Sequence, residues 1–305
     1  MSASPREIAA TPVPSQKTAA APGPSQKTAA APGPSQKTAA APPREIMAAK
    51  LFFNAVFPVM QVLLDDDPKI KEKFIDVVGT VQFGARTGDG SEGGLLACHL
   101  VFDRGKLTVV QGPAENPDIT LTFPSVEKMN ALLRGGMALP SIKVLKNAGL
   151  LIKFLSLLMG LKIMSPSKRP KDFQGQSLKV KLCLYMITRA LSQFNKLGDP
   201  SMQEFCRRQP DRIYQFTVEN GEDKEYIACY LRIKAGKSKS GHGVYTRRSP
   251  FVHFRFLSVE GAMAVLLKDV EFVEAVEKGY VETIGSPEYA CYLNDYMAIL
   301  QGMLT

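Results

Sequence analysis

Two stretches of sequence decide the fold: PDITLTFPSVEKMNALLRGG, from Pro117 to Gly136, and PFVHFRFLSVEGAMAVLLKD, from Pro250 to Asp269. In each, apolar residues first alternate with other residues and then recur three or four positions apart, with Ser-Val-Glu between the two patterns. Alternation is typical of a β-strand, and the wider spacing is typical of an amphipathic helix. Each stretch therefore predicts a strand followed by a helix, and the chain contains this unit twice.

Further short matches extend the repeat beyond these stretches. The matching segments begin at Asp67, Ala97, Ser125 and Gly149 in the first copy and at Asp199, Ala228, Ser258 and Gly279 in the second, at offsets of 130 to 133 residues. Any one match is weak, but a near-constant offset along a whole module is hard to produce by chance. The sequence thus predicts a tandem duplication, with a first module of residues 47–164, a linker of residues 165–181 and a second module of residues 182–305.

The length and composition agree with two globular domains. The chain has 305 residues, of which 45% are hydrophobic, and its formal net charge is +9. This charge permits anionic partners without selecting one of them. The five cysteines are odd in number and include no Cys-x-x-Cys pair, which favours reduced core residues. Because the N-terminus also lacks the apolar core of a secretory signal, we expect a cytoplasmic protein.

Residues 1–46 have a different, low-complexity composition. The unit AAAPGPSQKT occurs twice in succession between Ala19 and Thr38. Such units have too little apolar surface to offset the entropy of ordering the backbone, so they predict a disordered, mildly basic tail. The tail is either a tether, a contact for an anionic surface, or a repeat expansion without a specific role.

The pattern of residues 47–64 predicts a helix that Pro58 kinks or breaks. Asp65, Asp66 and Asp67 precede Pro68, and an Asp cap followed by proline is a common helix start. A metal site at these three residues would need more converging oxygens than the spacing guarantees, so capping is favoured. Strands are expected at residues 77–86, 95–102, 106–111 and 119–123.

The most hydrophobic run, GLLIKFLSLLMGLKIM, extends from Gly149 to Met164. It is too short to span a bilayer, which needs about 20 residues. The run is either a buried strand and helix or an interfacial element. The basic residues Lys168, Arg169 and Lys171 that follow it would suit peripheral contact with an acidic membrane, although a plain linker is favoured.

The end of the second module, GYVETIGSP from Gly279 to Pro287, resembles the sterol carrier protein type two family, as do the strand and helix before it. In the first module we align Leu155-Ser156 with Gly285-Ser286, so the corresponding turn has lost its glycine. The resemblance implies an α/β (α+β) fold. In each module a mainly antiparallel five-stranded sheet would be layered against helices, with an apolar tunnel for a sterol, fatty acyl chain, quinone or similar lipid.

The resemblance also suggests which residues contact this lipid. Met and aromatic side chains at helical spacing can line an adaptable cavity, but they are more common in an ordinary core. The candidates in the first module are Phe123, Met129, Leu132, Leu133, Ile142, Leu145, Ile152, Phe154 and Leu158. Those in the second module are Phe256, Met263, Leu266, Phe272, Val276, Val281, Ile284, Tyr289 and Tyr292.

Catalytic signatures are missing from the sequence. The three histidines, His99, His242 and His253, are not spaced with cysteines or carboxylates as metal ligands are, and no Gly-x-Ser-x-Gly motif occurs. We therefore expect no enzymatic activity, no metal and no cofactor.

A basic hairpin in the second module is a separate candidate site. It carries Lys234, Lys237, Lys239, Arg247 and Arg248. These residues either bind anionic headgroups or nucleic-acid phosphate, or belong to a solvated loop. We expect no specific nucleic-acid partner.

Two copies of a lipid-binding fold without catalytic groups predict the non-enzymatic binding and intracellular transfer or presentation of a lipid. The alternatives are a protein-interaction scaffold with closed cavities and an accessory subunit of a lipid-modifying enzyme. The sequence leaves the ligand, the number of modules that bind it and the oligomeric state open.

Overall fold

Two five-stranded sheets form the framework of the computed structural model, which describes residues 42–88, 94–144 and 146–305. The strands of the first sheet are β1 (Val78–Arg86), β2 (Leu95–Asp103), β3 (Lys106–Gln111), β4 (Ile119–Phe123) and β5 (Ser141–Val144). Those of the second are β6 (Asp211–Asn220), β7 (Asp223–Lys234), β8 (Lys237–His242), β9 (Val252–Phe256) and β10 (Val281–Gly285). Both sheets belong to one compact unit of the chain.

The two sheets share one topology. Their strand orders are β3-β2-β1-β4-β5 and β8-β7-β6-β9-β10. In each sheet the central pair, β1 with β4 or β6 with β9, is parallel, and every other neighbouring pair is antiparallel. The predicted fold class, with mainly antiparallel five-stranded sheets, is confirmed.

Helices lie before, between and after the strands. In the first half of the chain they are α1 (Pro43–Leu51), α2 (Phe57–Asp66), α3 (Pro68–Phe74), α4 (Val126–Leu133) and α5 (Ala148–Gly160), with a 3₁₀ turn at Leu161–Met164. In the second half they are α6 (Phe173–Lys196), α7 (Pro200–Arg207), α8 (Val259–Leu266), α9 (Phe272–Glu277) and α10 (Pro287–Leu304).

The strand-and-helix unit predicted from the opening stretches is present in both sheets. Ser125 caps α4 by accepting a hydrogen bond from the backbone N–H of Lys128, and Ser258 caps α8 in the same way through Gly261. Ile119 pairs with Val81 in the first sheet, as Val252 pairs with Tyr214 in the second. The offset of 133 residues between Ser125 and Ser258 therefore also relates the two central strand pairs.

Beyond α4 and α8 the sequence alignment was wrong. Gly149 does not begin a strand, because it lies in the first turn of α5. The strand equivalent to β10 is β5, since Val144 pairs with Ile119 as Gly285 pairs with Val252, an offset of 141 residues. The second half has an additional helix, α9, before its last strand, and this accounts for the longer offset. Leu155-Ser156 is thus not the counterpart of Gly285-Ser286, and no glycine was lost there.

The helix of residues 47–64 was predicted correctly, but it begins earlier and contains a π-helical segment that was not expected. α1, a π-helical segment at Phe52–Val56 and α2 form one continuous helix, Pro43–Asp66. Its first residues, 43–46, belong to the predicted tail, while residues 1–41 of that tail lie outside the described residues. By length and composition this helix could cross a membrane, but 67% of its most apolar window is buried against the rest of the chain.

Pro58 causes the π-helical segment. Proline has no N–H, so it cannot donate the α-helical hydrogen bond to the carbonyl of Asn54. The backbone N–H of Phe57 already bonds to Phe52, five residues earlier, which is the wider π-helical spacing. Arg189 of α6 supplies a donor to Asn54 instead, with its Nε 2.6 Å from that carbonyl oxygen.

The three consecutive aspartates, residues 65–67, make three different interactions. Asp67 accepts hydrogen bonds from the backbone N–H groups of Lys69 and Ile70 and so caps α3, as predicted. Asp66 forms an ion pair with Lys181, and Asp65 accepts a hydrogen bond from Gln61. Because each carboxylate has its own protein partner, the three side chains do not converge on one point.

Helix α6 lies between the two sheets' layers. It contacts the π-helical segment and α2 on one side, and β7, β8 and α8 on the other. Residues 173–181 of the predicted linker are its first turns, which Asp172 caps. The buried Lys179 donates from its Nζ to the carbonyls of Ser165 (2.7 Å) and Lys168 (2.5 Å) and so fixes the preceding segment to α6.

A polar cluster joins the first helix to the last. Arg134 donates to both carboxylate oxygens of Glu45 and to the carbonyl of Met303 in α10. Asn130, fully buried, also donates to Glu45. Burial alone would raise the pKa of Glu45, but the hydrogen bonds from Asn130 and Arg134 outweigh it and lower this pKa. The cluster therefore holds α1, α4 and α10 together around a charged carboxylate.

We predict that the hydrogen bond from Arg189 contributes to stability because Pro58 cannot donate to the Asn54 carbonyl. Arg189→Met, which keeps the apolar stem, should lower the free energy of unfolding by about 1–3 kcal/mol, since Asn54 loses its donor. In a Pro58→Ala background, where the backbone gains an N–H, the same change should cost about 1 kcal/mol less. Urea denaturation of the four proteins measures both losses, and equal losses in the two backgrounds would contradict the explanation.

Candidate functional site

Aromatic rings occupy the layer between the first sheet and its helices, where the resemblance implied a tunnel. The ring of Phe83 on β1 lies 5.2 Å, centre to centre, from those of Phe57 and Phe123. It lies 6.4 Å from the rings of Phe53 and Phe154. All five side chains are fully buried. Phe154 is the residue through which α5 joins this layer.

The structure separates the predicted lipid-contact residues into three groups. Six are buried in the core: Phe123, Met129, Phe154, Phe256, Met263 and Val281. Six pack against the core and are partly buried: Leu132, Leu133, Leu158, Leu266, Phe272 and Tyr289. Five are exposed: Ile142, Ile152, Val276, Ile284 and Tyr292. Leu145 lies outside the described residues. The structure therefore gives these residues different degrees of burial, and their assignment to a lipid in either module stays a prediction.

Helix α5 is apolar on two opposite sides. Leu150, Phe154 and Leu157 form the buried side. At 3.6 residues per turn, Ile152, Leu155 and Met159 fall on the other side, and they are 70%, 41% and 57% exposed. A helix that is apolar nearly all round is typical of a buried or lipid-contacting segment. Here only one side has a protein partner among the described residues.

The edge of the first sheet next to α5 in sequence is also apolar and exposed. Met137 and Leu139, in the loop before β5, are 100% and 90% exposed. Ile142 and Val144 on β5 itself are 45% and 41% exposed. We refer to Met137, Leu139, Ile142, Val144, Ile152, Leu155 and Met159 as the β5–α5 apolar surface. Exposed apolar residues that adjoin in space mark interaction sites, and these seven lie on consecutive segments of the chain.

Of the residues on this surface, only Ile142 and Ile152 were among the lipid contacts predicted from the sequence. The signal for the others was present in the run from Gly149 to Met164, because an ordinary surface helix would show a polar side there. Only Lys153, Ser156 and Lys162 interrupt the run.

The segment around this surface is strongly basic. Between Glu127 and Asp172 the chain has nine Lys and Arg residues and no Asp or Glu. Arg134 and Arg169 are engaged in ion pairs, with Glu45 and Asp269. Lys143, Lys146, Lys153 and Lys162 are interspersed with the β5–α5 apolar surface in sequence. An apolar surface with lysines beside it has the chemistry that an anionic bilayer attracts.

Aromatic rings also pack on the second sheet. Phe254 of β9 stacks on Phe216 at 4.8 Å and contacts Phe272 of α9 at 6.2 Å. Tyr289 of α10, a predicted lipid contact, instead packs on the guanidinium of Arg212, whose central carbon lies 4.2 Å from the ring centre. On α9 and β10, Val273, Val276 and Ile284 are exposed, at 69%, 45% and 50%.

Part of the basic hairpin is paired with an acidic residue. Arg248 bonds to the carbonyl of Asp211 and forms an ion pair with its carboxylate, which Arg232 also holds. Lys234 and Lys237 pair opposite each other in the register of β7 and β8. Lys237 also lines an open cleft of about 750 Å³, whereas Lys239 and Arg247 are exposed.

The histidines are engaged in packing and hydrogen bonds. His99 Nδ1 lies 3.0 Å from the carbonyl of Gly112, and His253 Nε2 lies 2.8 Å from the hydroxyl of Thr217. His242 stacks on Tyr185, with ring centres 3.9 Å apart. Burial and the positive charge of nearby arginines lower the pKa of both His242 and His253. Both rings therefore favour the neutral form.

The cysteines of the core have the properties of protonated thiols. Burial raises the pKa of Cys183 to about 11 and that of Cys229 to about 12. Such thiols are poor nucleophiles near neutral pH. Within residues 42–88, 94–144 and 146–305, no three His, Cys, Asp or Glu side chains are grouped so as to hold a metal ion.

Comparison with known proteins gives structural similarity only. No family model matches the chain, and no curated protein matches it. The solution structure of sterol carrier protein domain 2 of Helicoverpa armigera is 21% identical, with a TM-score of 0.30, and the match covers 41% of this chain and 94% of that one. The solution structure of palmitated SCP2L2 from Aedes aegypti is 19% identical, with a TM-score of 0.26, over 36% of this chain and 90% of that one.

A sec-alkylsulfatase from Pseudomonas sp. is also similar to part of the chain, at 11% identity and a TM-score of 0.23. That match covers 48% of this chain and 28% of the sulfatase.

We predict that the two sides of α5 differ sharply in their contribution to stability. Phe154→Ala should lower the free energy of unfolding by about 3–5 kcal/mol, because it removes a ring from the aromatic layer. Ile152→Ala, on the exposed side of the same helix, should change it by no more than about 0.5 kcal/mol. Urea denaturation measures both values. Similar losses for the two variants would mean that the exposed side packs against protein.

Proposed function

We propose that this protein binds lipid without catalysing a reaction, and that it takes up or presents a hydrophobic lipid at an acidic membrane surface. The observation that carries the proposal is α5, a helix with one apolar side in the core and the opposite apolar side exposed to solvent. The lysines beside it and the absence of acidic residues from positions 128–171 support an anionic lipid surface as the partner.

The energetics of this contact favour a reversible interaction. Moving a large aliphatic side chain from water into an apolar environment contributes about 1.5–3 kcal/mol when it was fully exposed. Each lysine near an anionic surface adds about 1 kcal/mol. A few such side chains suffice for binding that salt weakens, which suits a protein that must leave the membrane again.

Helix α5 also connects the membrane surface with the protein interior. Because both of its sides are apolar, it can exchange contacts with the aromatic layer for contacts with acyl chains. Little additional apolar surface would then be exposed to water. An acyl chain would then lie against Phe83 and Phe123 in the place of Phe154. In this proposal the lipid site of the first sheet forms when α5 moves, and the chain works in the cytoplasm as a carrier or presenter.

We further propose that the two halves arose by duplication. The common strand order, the Ser caps of α4 and α8, and the Asp-Pro starts of α3 and α7 support a shared origin. The inserted helix α9 suggests that the halves have since diverged and that they do not bind equally.

A protein-interaction scaffold, or an accessory subunit of a lipid-modifying enzyme, is the second candidate function. The fully buried rings of the first sheet's layer favour it, because they form a packed core in the place of a tunnel. In that case the β5–α5 apolar surface would be covered by a protein partner.

Native mass spectrometry of the purified chain distinguishes these functions. We expect one or two lipid molecules per chain, either retained from the host or taken up during incubation with fatty acids, sterols and quinones, and organic extraction would identify their class. An unchanged mass under all of these conditions would contradict lipid binding and favour the scaffold.

Vesicle binding tests the membrane contact with a matched pair of variants. Ile152→Glu should weaken co-sedimentation with phosphatidylglycerol-containing vesicles about tenfold or more, because it places a negative charge on the surface that contacts the bilayer. Val273→Glu on α9 is the control, since Val273 is 69% exposed and Ile152 70%. Equal losses for the two variants, or equal binding of the parent protein to neutral vesicles, would contradict the assigned surface.

A further inference from the structure

An open cleft in the second half of the chain has no role in the function proposed above. It has a volume of about 750 Å³ and lies where the end of α6, helix α7 and the turn between β7 and β8 meet. Small-molecule sites typically have volumes of about 300–1,000 Å³. The polar and charged lining residues are Asn195, Lys196, Gln203, Arg207, Lys237 and Ser238.

The cleft carries positive charge. Three of its lining residues are cationic and none is acidic. Arg207 is paired with Glu204 of the same helix, whereas Lys196 forms no ion pair within the described part of the chain. Burial, and then the charges of Arg189 and Lys239, lower the pKa of Lys196. An anion in the cleft would relieve this repulsion, and Arg and Lys are the residues that hold phosphate groups.

Asn195 adds a second and independent signal. Its side chain is 5% exposed, and its Nδ2 donates to the carbonyl of Gly236 and to the hydroxyl of Ser238, each at 3.0 Å. The bond to a carbonyl fixes which end of the amide is the NH₂ group. The Oδ1 atom has no hydrogen-bond partner within the described part of the chain, although it is buried. A buried acceptor of this kind costs free energy unless a donor reaches it.

We propose that this cleft binds a phosphate ester that also carries a hydroxyl group. The phosphate would contact Lys196, Arg207 and Lys237. The hydroxyl would donate to Oδ1 of Asn195, which is covered in this structure, so the neighbouring side chains would have to move aside on binding. Gln203 and Ser238 offer further polar contacts at the wall. The same chemistry occurs in soluble sugar or polyol phosphates and in the phosphoglycerol headgroup of a lipid, so both are tested as sources.

Calorimetric titration of the full chain with sn-glycerol 3-phosphate tests the site, with inorganic phosphate and methyl phosphate as further probes. Lys237→Glu should weaken glycerol 3-phosphate binding about tenfold or more, because an attractive charge becomes a repulsive one. Lys234→Glu is the matched control. It makes the same charge change at an exposed position opposite Lys237 in the hairpin, outside the cleft lining, and binding should be retained.

A ligand that lacks the hydroxyl group tests the proposed contact with Asn195. Methyl phosphate carries the same phosphate without a hydroxyl, and it should bind about tenfold more weakly than glycerol 3-phosphate, since Asn195 Oδ1 would stay unpaired. Equal affinities for the two esters would overturn the role of Asn195. Absence of binding by glycerol 3-phosphate, or equal losses in Lys237→Glu and Lys234→Glu, would overturn the site.

Vesicles distinguish the two sources. If Lys237→Glu weakens binding both to the soluble ester and to phosphatidylglycerol vesicles, the occupant is a lipid headgroup; if it weakens only the former, the occupant is a soluble ester. The Ile152→Glu variant separates this site from the membrane contact, because it should bind glycerol 3-phosphate normally even where vesicle binding is lost. Loss of ester binding in Ile152→Glu would overturn the independence of the cleft.

Discussion

The structure depends on how a proline is accommodated inside a buried helix. Pro58 has no N–H to offer the carbonyl of Asn54, and a buried carbonyl without a donor would cost about 1–3 kcal/mol. The helix widens to a π-helical segment just before the proline, and Arg189 of α6 reaches across to the same carbonyl. Because Arg189 belongs to the helix that also packs against β7, β8 and α8, this bond ties the first sheet's layer to that of the second.

Two helices show how similar sequence properties lead to different roles. α5 and the helix from Pro43 to Asp66 are both apolar on most sides, but the latter is enclosed by the first sheet and by α6. α5 follows the edge strand β5, so only its inner side meets the core. Its outer side, with its basic surroundings, is the feature on which the proposed membrane contact rests. Position in the fold, and not apolarity alone, makes α5 the functional candidate.

The repeat explains what was predictable about the architecture and where prediction failed. Local signals were sufficient for the strand–Ser-Val-Glu–helix unit, the Asp67 and Asp199 caps and the strands between Asp67 and Ser125, because these depend on residues close in sequence. The alignment failed after α4 and α8, because the second half has the additional helix α9 before its last strand. A short apolar run there can be strand or helix, and only the pairing of β5 with β4 identifies the equivalent strand.

The sequence by itself determined the two strand-and-helix units, their helix caps and the basic, acid-free segment around α5, because each depends on the order and spacing of neighbouring residues. The tertiary structure decided which apolar residues are enclosed and which are exposed: Phe154 and Ile152 are two positions apart, yet one is fully buried and the other is 70% exposed. It also brought Asn195, Arg207 and Lys237 to one cleft. Burial and convergence depend on which distant elements pack together, and that information is not present in any local stretch of the chain.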